Sequence, residues 1–479
     1  MQLRMVIATI LVFLGIPCLA ADAVRKTNVV FILTDNQGAW TLGCYGNPDI
    51  QTPHIDRLAA DGMLFSRAFA SNAVCSPTRA TYLTGLIPSQ HGVHCFLDPK
   101  YMMGPEAYNT LAEFRSLPEI LADHGYVCGL TGKWHLGANL TPQESFSYWI
   151  TMVQGSTAEF YDMPVIEEGE VRKEPKYATD LWTEHAVRFI RQNKDRPFFL
   201  YLPYNGPYNL GPLLLNPARN RHHDYYADKP LMSFHRDAMH PWLFNNKDYL
   251  NNMVSIRRVA AETSAVDDGV GAVMAALEEL GLEDDTLIVY AADQGWMGGT
   301  NGLWGMGDHT RPLTAFDRMM QVPLIFRHRG AISPGGKSDA MVSNYDFLPS
   351  VLSYLNLGDE TGRLQPKSPG RDFSPLLRGQ TIDWDNVVYY EMERVRAIRT
   401  DEWKYVHRPD GPYELYHLAS DPFEKVNLYG QPQQATIQGE LEQRLEHFFL
   451  ATAEPKYDLY RGGGSKASLL SDREQKRRP

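Results

Sequence analysis

Short runs of β-branched and aromatic residues alternate with stretches of helical spacing along most of this chain. That pattern predicts a mostly parallel sheet with helices on its faces. Asn28 to Thr34 (N-V-V-F-I-L-T) is apolar throughout, as a strand covered on both faces must be, and it runs into Asp35-Asn36-Gln37-Gly38. Periodicity predicts helices over His54 to Met63, Leu117 to His124, Leu181 to Gln192 and Val254 to Leu280. Strands are expected at Tyr126 to Thr131, Arg196 to Leu202 and Asp285 to Ala292, the last leading into Asp293-Gln294-Gly295. Pro203 to Tyr249 breaks the rhythm with Pro, Asn, His and Tyr, and so long an irregular stretch inside a domain points to a functional loop or to disorder.

Beyond Arg371 the texture changes. Val387 to Glu391, Val395 to Thr400 and Glu402 to His407 read as short strands joined by turns, and Gln438 to Ala453 as a closing helix. The predicted organisation is therefore a large α/β domain over residues 24–375 and a smaller α+β domain over 376–460. The first is built on a large mixed, mostly parallel sheet sandwiched by helices; the second is an antiparallel sheet plus a helix. Residues 461–479, Gly-rich and then charged, are expected to be disordered. No internal repeat is present.

With 479 residues, 43% of them hydrophobic and 22% charged, the chain can bury an ordinary core without a disulfide scaffold. The formal net charge of −11 disfavours nucleic acid and anionic membranes as partners, and an anionic substrate would need a local cationic pocket. Residues 1–23 read as an export signal: Arg4 leads a short apolar run from Val6 to Pro17, with cleavage after Ala20 or Ala23. Cys18 raises a lipoprotein reading that Pro17 fits badly. No other segment has the length and apolarity of a membrane helix, so a soluble periplasmic or extracellular protein is expected. Removing the signal leaves Cys44, Cys75, Cys95 and Cys128, an even set that suits either two bridges or unpaired core thiols.

Three segments carry chemistry. Asp35-Asn36 and Asp293-Gln294 each follow a strand, where open α/β sheets bind ligands, and four oxygen-bearing side chains suit a hard cation. Singly, each dipeptide is also a turn signal. Cys75-Ser76-Pro77-Thr78-Arg79 places a cysteine at a helix start, with Pro77 in the first turn and Gly85 as its stop. Arg79, one turn later, leans back toward Cys75 and any anion held there. An ordinary buried cysteine would read the same way. Gly132-Lys133-Trp134-His135-Leu136-Gly137 follows a third strand, and an extended backbone would point Lys133 and His135 the same way.

The ordered set T-D-N-Q-G, C-S-P-T-R, G-K-W-H-L-G and A-D-Q-G resembles the type I, formylglycine-dependent sulfatases of the alkaline-phosphatase superfamily, arylsulfatase-like members included. The resemblance spans about Asn28 to Leu428 and includes E-L-Y-H-L-A-S-D-P-F-E-K-V-N-L (Glu414 to Leu428) in the small domain. It implies a sulfuric ester hydrolase acting on a sulfated carbohydrate or aryl sulfate. Cys75 would be converted to formylglycine (3-oxoalanine) by the formylglycine-generating enzyme, and its hydrate would attack sulfur. Asp35, Asn36, Asp293 and Gln294 would bind one Ca²⁺, with Mg²⁺ as the alternative, beside the modified Cys75. Arg79 and His135 would hold or deprotonate the diol, and Lys133 would bind sulfate oxygens.

Two positions depart from the family pattern. Pro207 is followed by Tyr208 where relatives carry a histidine, and Met306 stands where they carry a lysine. Tyr208, His309 and Arg311 are then candidates for substrate contact, with His309 supplying the missing proton donor or serving only as a polar turn residue. His222, His223, Tyr225, Tyr226, His235, His240 and Trp242 either shape substrate fit or form a solvated excursion. Two further functions share this geometry: a phosphodiesterase or phosphonate hydrolase, and an inactive binder of sulfated glycans.

Overall fold

In the computed structural model, which describes residues 26–475, the predicted sheet is built from ten strands. They are β1 (Asn28–Asp35), β2 (Met63–Phe65), β3 (Val127–Gly132), β4 (Phe146–Met152), β5 (Met163–Glu167), β6 (Glu170–Glu174), β7 (Phe198–Pro207), β8 (Thr286–Ala292), β9 (Leu324–Arg327) and β10 (Gly336–Ser338). Their spatial order is β10-β2-β9-β8-β1-β7-β3-β4-β5-β6. The central run from β8 to β4 is parallel, while β9 and β5 pair antiparallel on either side.

Alternation along β1 explains both layers. Val30 and Ile32 face a core shared with α3 (Ala178–Asn193) and α4 (Met253–Glu279) through Leu181, Phe189, Val259 and Val266. Val29, Phe31 and Leu33 face the opposite core, with Tyr82 and Leu83 of α2 (Cys75–Thr84) and Phe347 and Val351 of α5 (Phe347–Tyr354). The first helix in the chain, α1 (Pro53–Ala60), stops short of the predicted end, because residues 63–65 are recruited as β2.

The small domain holds β11 (Val388–Met392), β12 (Val395–Arg399), β13 (Trp403–His407) and β14 (Glu414–His417), an antiparallel meander covered by α6 (Ala435–Thr452). Leu441, Leu445 and Phe449 of α6 pack on Ile398, Tyr405 and Leu415.

The expected disorder from Arg461 is corrected for the described part of that tail. Ala467, Leu469 and Leu470 are buried, which gives the segment apolar anchors that its composition hides. Gly463 N donates to Asp458 O at 2.8 Å, Lys466 N to Gly92 O at 2.7 Å, and Ser468 Oγ to Asp98 Oδ2 at 2.6 Å. The predicted export signal lies outside the described residues. Among the described residues no helix is long and apolar enough to cross a membrane. Cys44, Cys75, Cys95 and Cys128 are unbridged thiols.

Candidate active site

The parallel register brings the two acidic strand ends together. Thr34 pairs with Ala292 across β1 and β8, so Asp35 and Asp293 follow side by side. The backbone then turns: Asn36 takes a left-handed conformation (φ 57°), and its N–H donates to Asp293 Oδ1 at 2.9 Å, as does Gln294 N. Asp35, Asn36, Asp293 and Gln294 are all fully buried. Across from them starts α2, which ends at Gly85 in the left-handed region (φ 68°). Cys75 Sγ lies 3.5 Å from Asp35 Oδ1 and 3.9 Å from Asn36 Oδ1, and Gln294 Nε2 donates to it at 3.2 Å.

Two cations brace the carboxylates. Arg79 donates to Asp293 Oδ2 through Nε (3.1 Å) and Nη2 (2.8 Å), and Nη2 also reaches Asp35 Oδ2 at 3.4 Å. Its Nη1 donates to Lys133 O at 2.6 Å. Arg79 was expected to reach a bound anion; instead its donors are committed to protein acceptors and it does not line the cavity. Lys133 Nζ pairs with Asp35 Oδ2 and sits 5.4 Å from the centre of the Tyr208 ring. Burial, and after it the Asp35 charge, pushes both the Cys75 thiol and the Asp293 carboxyl above their ordinary ranges.

The expected extended geometry at Lys133-Trp134-His135 does not occur, since His135 has φ 57°. Lys133 and His135 nevertheless both line one cavity, and Trp134 is buried beneath them, donating through Nε1 to Gly137 O at 3.0 Å. A Cβ at Gly155 would fall 1.9 Å from His135 Nε2, so only glycine admits the ring. Burial, reinforced by Lys133 and Arg79, pushes His135 well below the ordinary histidine range and keeps it neutral. Its Nδ1 has no hydrogen-bond partner among the described residues.

The cavity holds about 200 Å³ and is bounded by Cys75, Lys133 and His135 on one side and Phe96, Leu97, Pro99, Met102 and Leu210 on another. Tyr208, Met306, Asp308 and His309 also line it. Asp308 Oδ1 stands 2.7 Å from His309 Nδ1, and Met306 N lies 3.3 Å from the same nitrogen. Arg311 is not among the lining residues. Its guanidinium donates to Asp308 O and Thr310 O and stacks 4.4 Å from the Phe244 ring centre. The histidines and aromatics between 222 and 242 are also absent from this wall: His222 pairs with Asp268 at 2.6 Å and Tyr226 with Ser264 at 2.7 Å, both on α4. A larger cavity of about 330 Å³ lies between β13 and α6, remote from Cys75 and the strand-end carboxylates.

Sequence reasoning missed Ser76, Asn209 and the apolar rim. Ser76 Oγ donates to His135 O at 2.9 Å and accepts from Leu97 N at 3.2 Å, tying α2 to two sides of the cavity. Asn209 Nδ2 donates to Asn36 O at 2.8 Å and steadies the strained turn. Only its place just after Tyr208 could have pointed to it.

The site fits a hard divalent cation. Ligand atoms of Asp35, Cys75 and Asp293 lie within 4.8 Å of one another. Among the described residues, the Cys75 thiol is the only hydrogen-bond donor to Asp35 Oδ1, and the buried Nδ2 of Asn36 has no partner. Carboxylate and amide oxygens are the donor set that Ca²⁺ or Mg²⁺ takes.

This ensemble defines a hydrolase of the alkaline-phosphatase superfamily. The chain belongs to the sulfatase family, whose model matches residues 27–357, and residues 308–450 match the N-sulphoglucosamine sulphohydrolase C-terminal model. It is a sulfatase enzyme. Over 507 residues it is 27% identical to an N-acetylglucosamine-6-O-sulfatase of Bacteroides thetaiotaomicron, covering 89% of this chain and 86% of that one. An ulvan-active sulfatase of Formosa agariphila is 27% identical over 88% of this chain and 81% of its own. A solved structure in complex with its substrate D-glucosamine-2-N,6-O-disulfate superposes with a TM-score of 0.70 at 25% identity, covering 89% of this chain and 98% of that one.

Proposed function

We propose that this enzyme removes sulfate from a sulfated carbohydrate, with Cys75 acting after conversion to formylglycine. The observation that carries the reading is the place of Cys75 Sγ. It stands at the start of α2, within 3.5 Å of a metal-competent carboxylate, in the cavity that Lys133 and His135 also line. Sγ marks where the oxygens of the hydrated aldehyde would stand. One hydroxyl of that diol attacks sulfur as the alcohol departs. The other then loses its proton, the carbon–oxygen bond to sulfate breaks, and the aldehyde re-forms.

Lys133, oriented by Asp35, binds sulfate oxygens and offsets charge as it develops. His135, kept neutral, is the group able to take a proton from the diol. Arg79 is a positioning residue that locks Asp35 and Asp293. His309, backed by Asp308, protonates the leaving alcohol, and Tyr208 offers a hydrogen bond to it. Asp35, Asn36, Asp293 and Gln294 would hold Ca²⁺, which when bound offsets the two carboxylates and acts as a Lewis acid beside the nucleophile. The C-S-P-T-R segment supports a formylglycine-generating enzyme as maturation partner, and the leader-like residues 1–23 support export.

Mass spectrometry of the peptide carrying Cys75 tests the reading directly. Conversion of thiol to aldehyde lowers its mass by about 18 Da and creates a hydrazide-reactive group. A thiol retained after co-expression with the maturation enzyme, with no turnover of sulfate esters, would sink it.

A further inference from the structure

Behind the loops that carry the acidic pairs lies a second, separate groove. Trp40, four residues beyond Asn36, donates through Nε1 to Trp296 O at 3.2 Å and so bridges the two loops, and it does not line the cavity that holds Cys75. Its ring is covered by Arg318, whose Cζ sits 4.2 Å from the ring centre. Arg318 stands out from the other cations around it. Asp317 is taken by Arg399 (3.1 Å) and Lys404 (2.9 Å), Glu424 by Lys404 (2.7 Å), and Asp237 by Lys425 (3.5 Å). Arg318 has no carboxylate partner among the described residues. Among the described residues its Nη1 meets only His235 Nε2, at 3.3 Å, and its buried Nε has no partner. Burial pushes this guanidinium down to about 10, and the nearby Asp237 charge offsets that only in part.

An unpaired guanidinium with spare N–H donors selects a planar or tetrahedral oxyanion. The groove around it, about 270 Å³, also presents Met297, Gln321 and the 39%-exposed ring of Phe423. Trp40 and Gln321 also line a neighbouring cavity of about 420 Å³ that includes Lys337. The exposed Phe423 ring, beside a cation with no carboxylate partner among the described residues, matches a sugar that carries a single sulfate or carboxylate. We propose that Arg318, Trp40 and Phe423 form a subsite for an oxyanion-bearing sugar of an acidic polysaccharide, distinct from the catalytic cavity. The choice of a polysaccharide rests on the reading of the active site as one that takes sulfated carbohydrate.

The test compares the parent protein, Arg318→Gln and Arg318→Lys, each carrying Cys75→Ala to prevent turnover. Calorimetry measures binding of a dextran sulfate hexasaccharide, the neutral dextran hexasaccharide and inorganic sulfate. The expected result is about tenfold weaker binding of the sulfated hexasaccharide to Arg318→Gln, largely restored in Arg318→Lys. Inorganic sulfate binding should be unchanged. Equal hexasaccharide affinity in all three proteins overturns the subsite. Loss confined to inorganic sulfate also overturns it, leaving a free-anion site. With Cys75 intact, Arg318→Gln should turn over 4-nitrophenyl sulfate at the parent rate, and a parallel fall would show that Arg318 acts through the catalytic cavity instead. Failure of the parent to hydrolyse any sulfate ester would count against the proposed function alone, because the binding comparison needs no turnover.

Discussion

Two clusters of buried charge in this molecule use the same residue types for opposite ends. Beside the four-stranded sheet, Lys404 is fully buried between Asp317 and Glu424, Arg399 completes the set, and Asp317 N donates to Glu424 Oε2 at 2.6 Å. Each charge there faces an opposite one. At the strand ends, Arg79 and Lys133 also pair with Asp35 and Asp293, yet capacity is left over. Among the described residues the Cys75 thiol is the only donor to Asp35 Oδ1, Asn36 Nδ2 and His135 Nδ1 lack partners, and Lys133 opens onto a cavity. Buried charge alone thus says little about function. Unspent hydrogen-bonding capacity beside an opening is what separates a reactive cluster from a saturated one.

The contrast can be broken most decisively at Cys75. Replacing it with Ala should abolish sulfate ester hydrolysis, a loss of at least about 10⁴-fold in kcat, while thermal denaturation stays near the parent. Retained turnover would remove Cys75 from the chemistry. At the other cluster, Lys404→Met should leave Glu424 uncompensated and cost about 3–5 kcal/mol of stability. The protein that does fold should keep its kcat, and denaturant titration beside a steady-state assay separates the two effects. A stability equal to the parent's would show that this cluster does not stabilise the fold.

The rim offers a finer comparison between neighbours. His309→Ala should lower kcat about 10²-fold, most for substrates with poor leaving groups, because proton donation to the alcohol is lost. Arg311→Ala, outside the cavity, should change it by no more than about twofold. Equal effects on rate would place Arg311 in the site and revise the role of His309. The last comparison concerns the cation. Adding Ca²⁺ to chelator-treated protein at about 100 times its dissociation constant should stabilise it by about 2.7 kcal/mol, and Asn36→Ala should reduce that gain. A calcium response identical in the variant would move the ion elsewhere.

Much of this arrangement was legible in the chain itself. The apolar run of β1, the strand ending in Asp293 and the helix opened by Cys75 with Pro77 are local signals, and short-range periodicity and capping chemistry sufficed to read them. Parallel strands with their carboxyl ends on one side then required Asp35 and Asp293 to converge. The direction of His135 was not legible, because it depends on a left-handed turn that only the space left by Gly155 permits. Nor was the commitment of Arg79 to Asp293, since an arginine one helical turn from a cysteine can face either an anion or a carboxylate.

What the sequence by itself determined is therefore the set of reactive groups, the class of fold and the end of the sheet where they gather. Each follows from interactions within a few residues or from strand polarity. Only the tertiary structure decided which donors remain free, that His309 rather than Arg311 faces the cavity, and that the Gly-rich tail packs across residues 92–98 instead of dangling. Those outcomes depend on contacts between segments hundreds of residues apart, and no local pattern encodes which of several chemically equivalent partners arrives first at a given buried group.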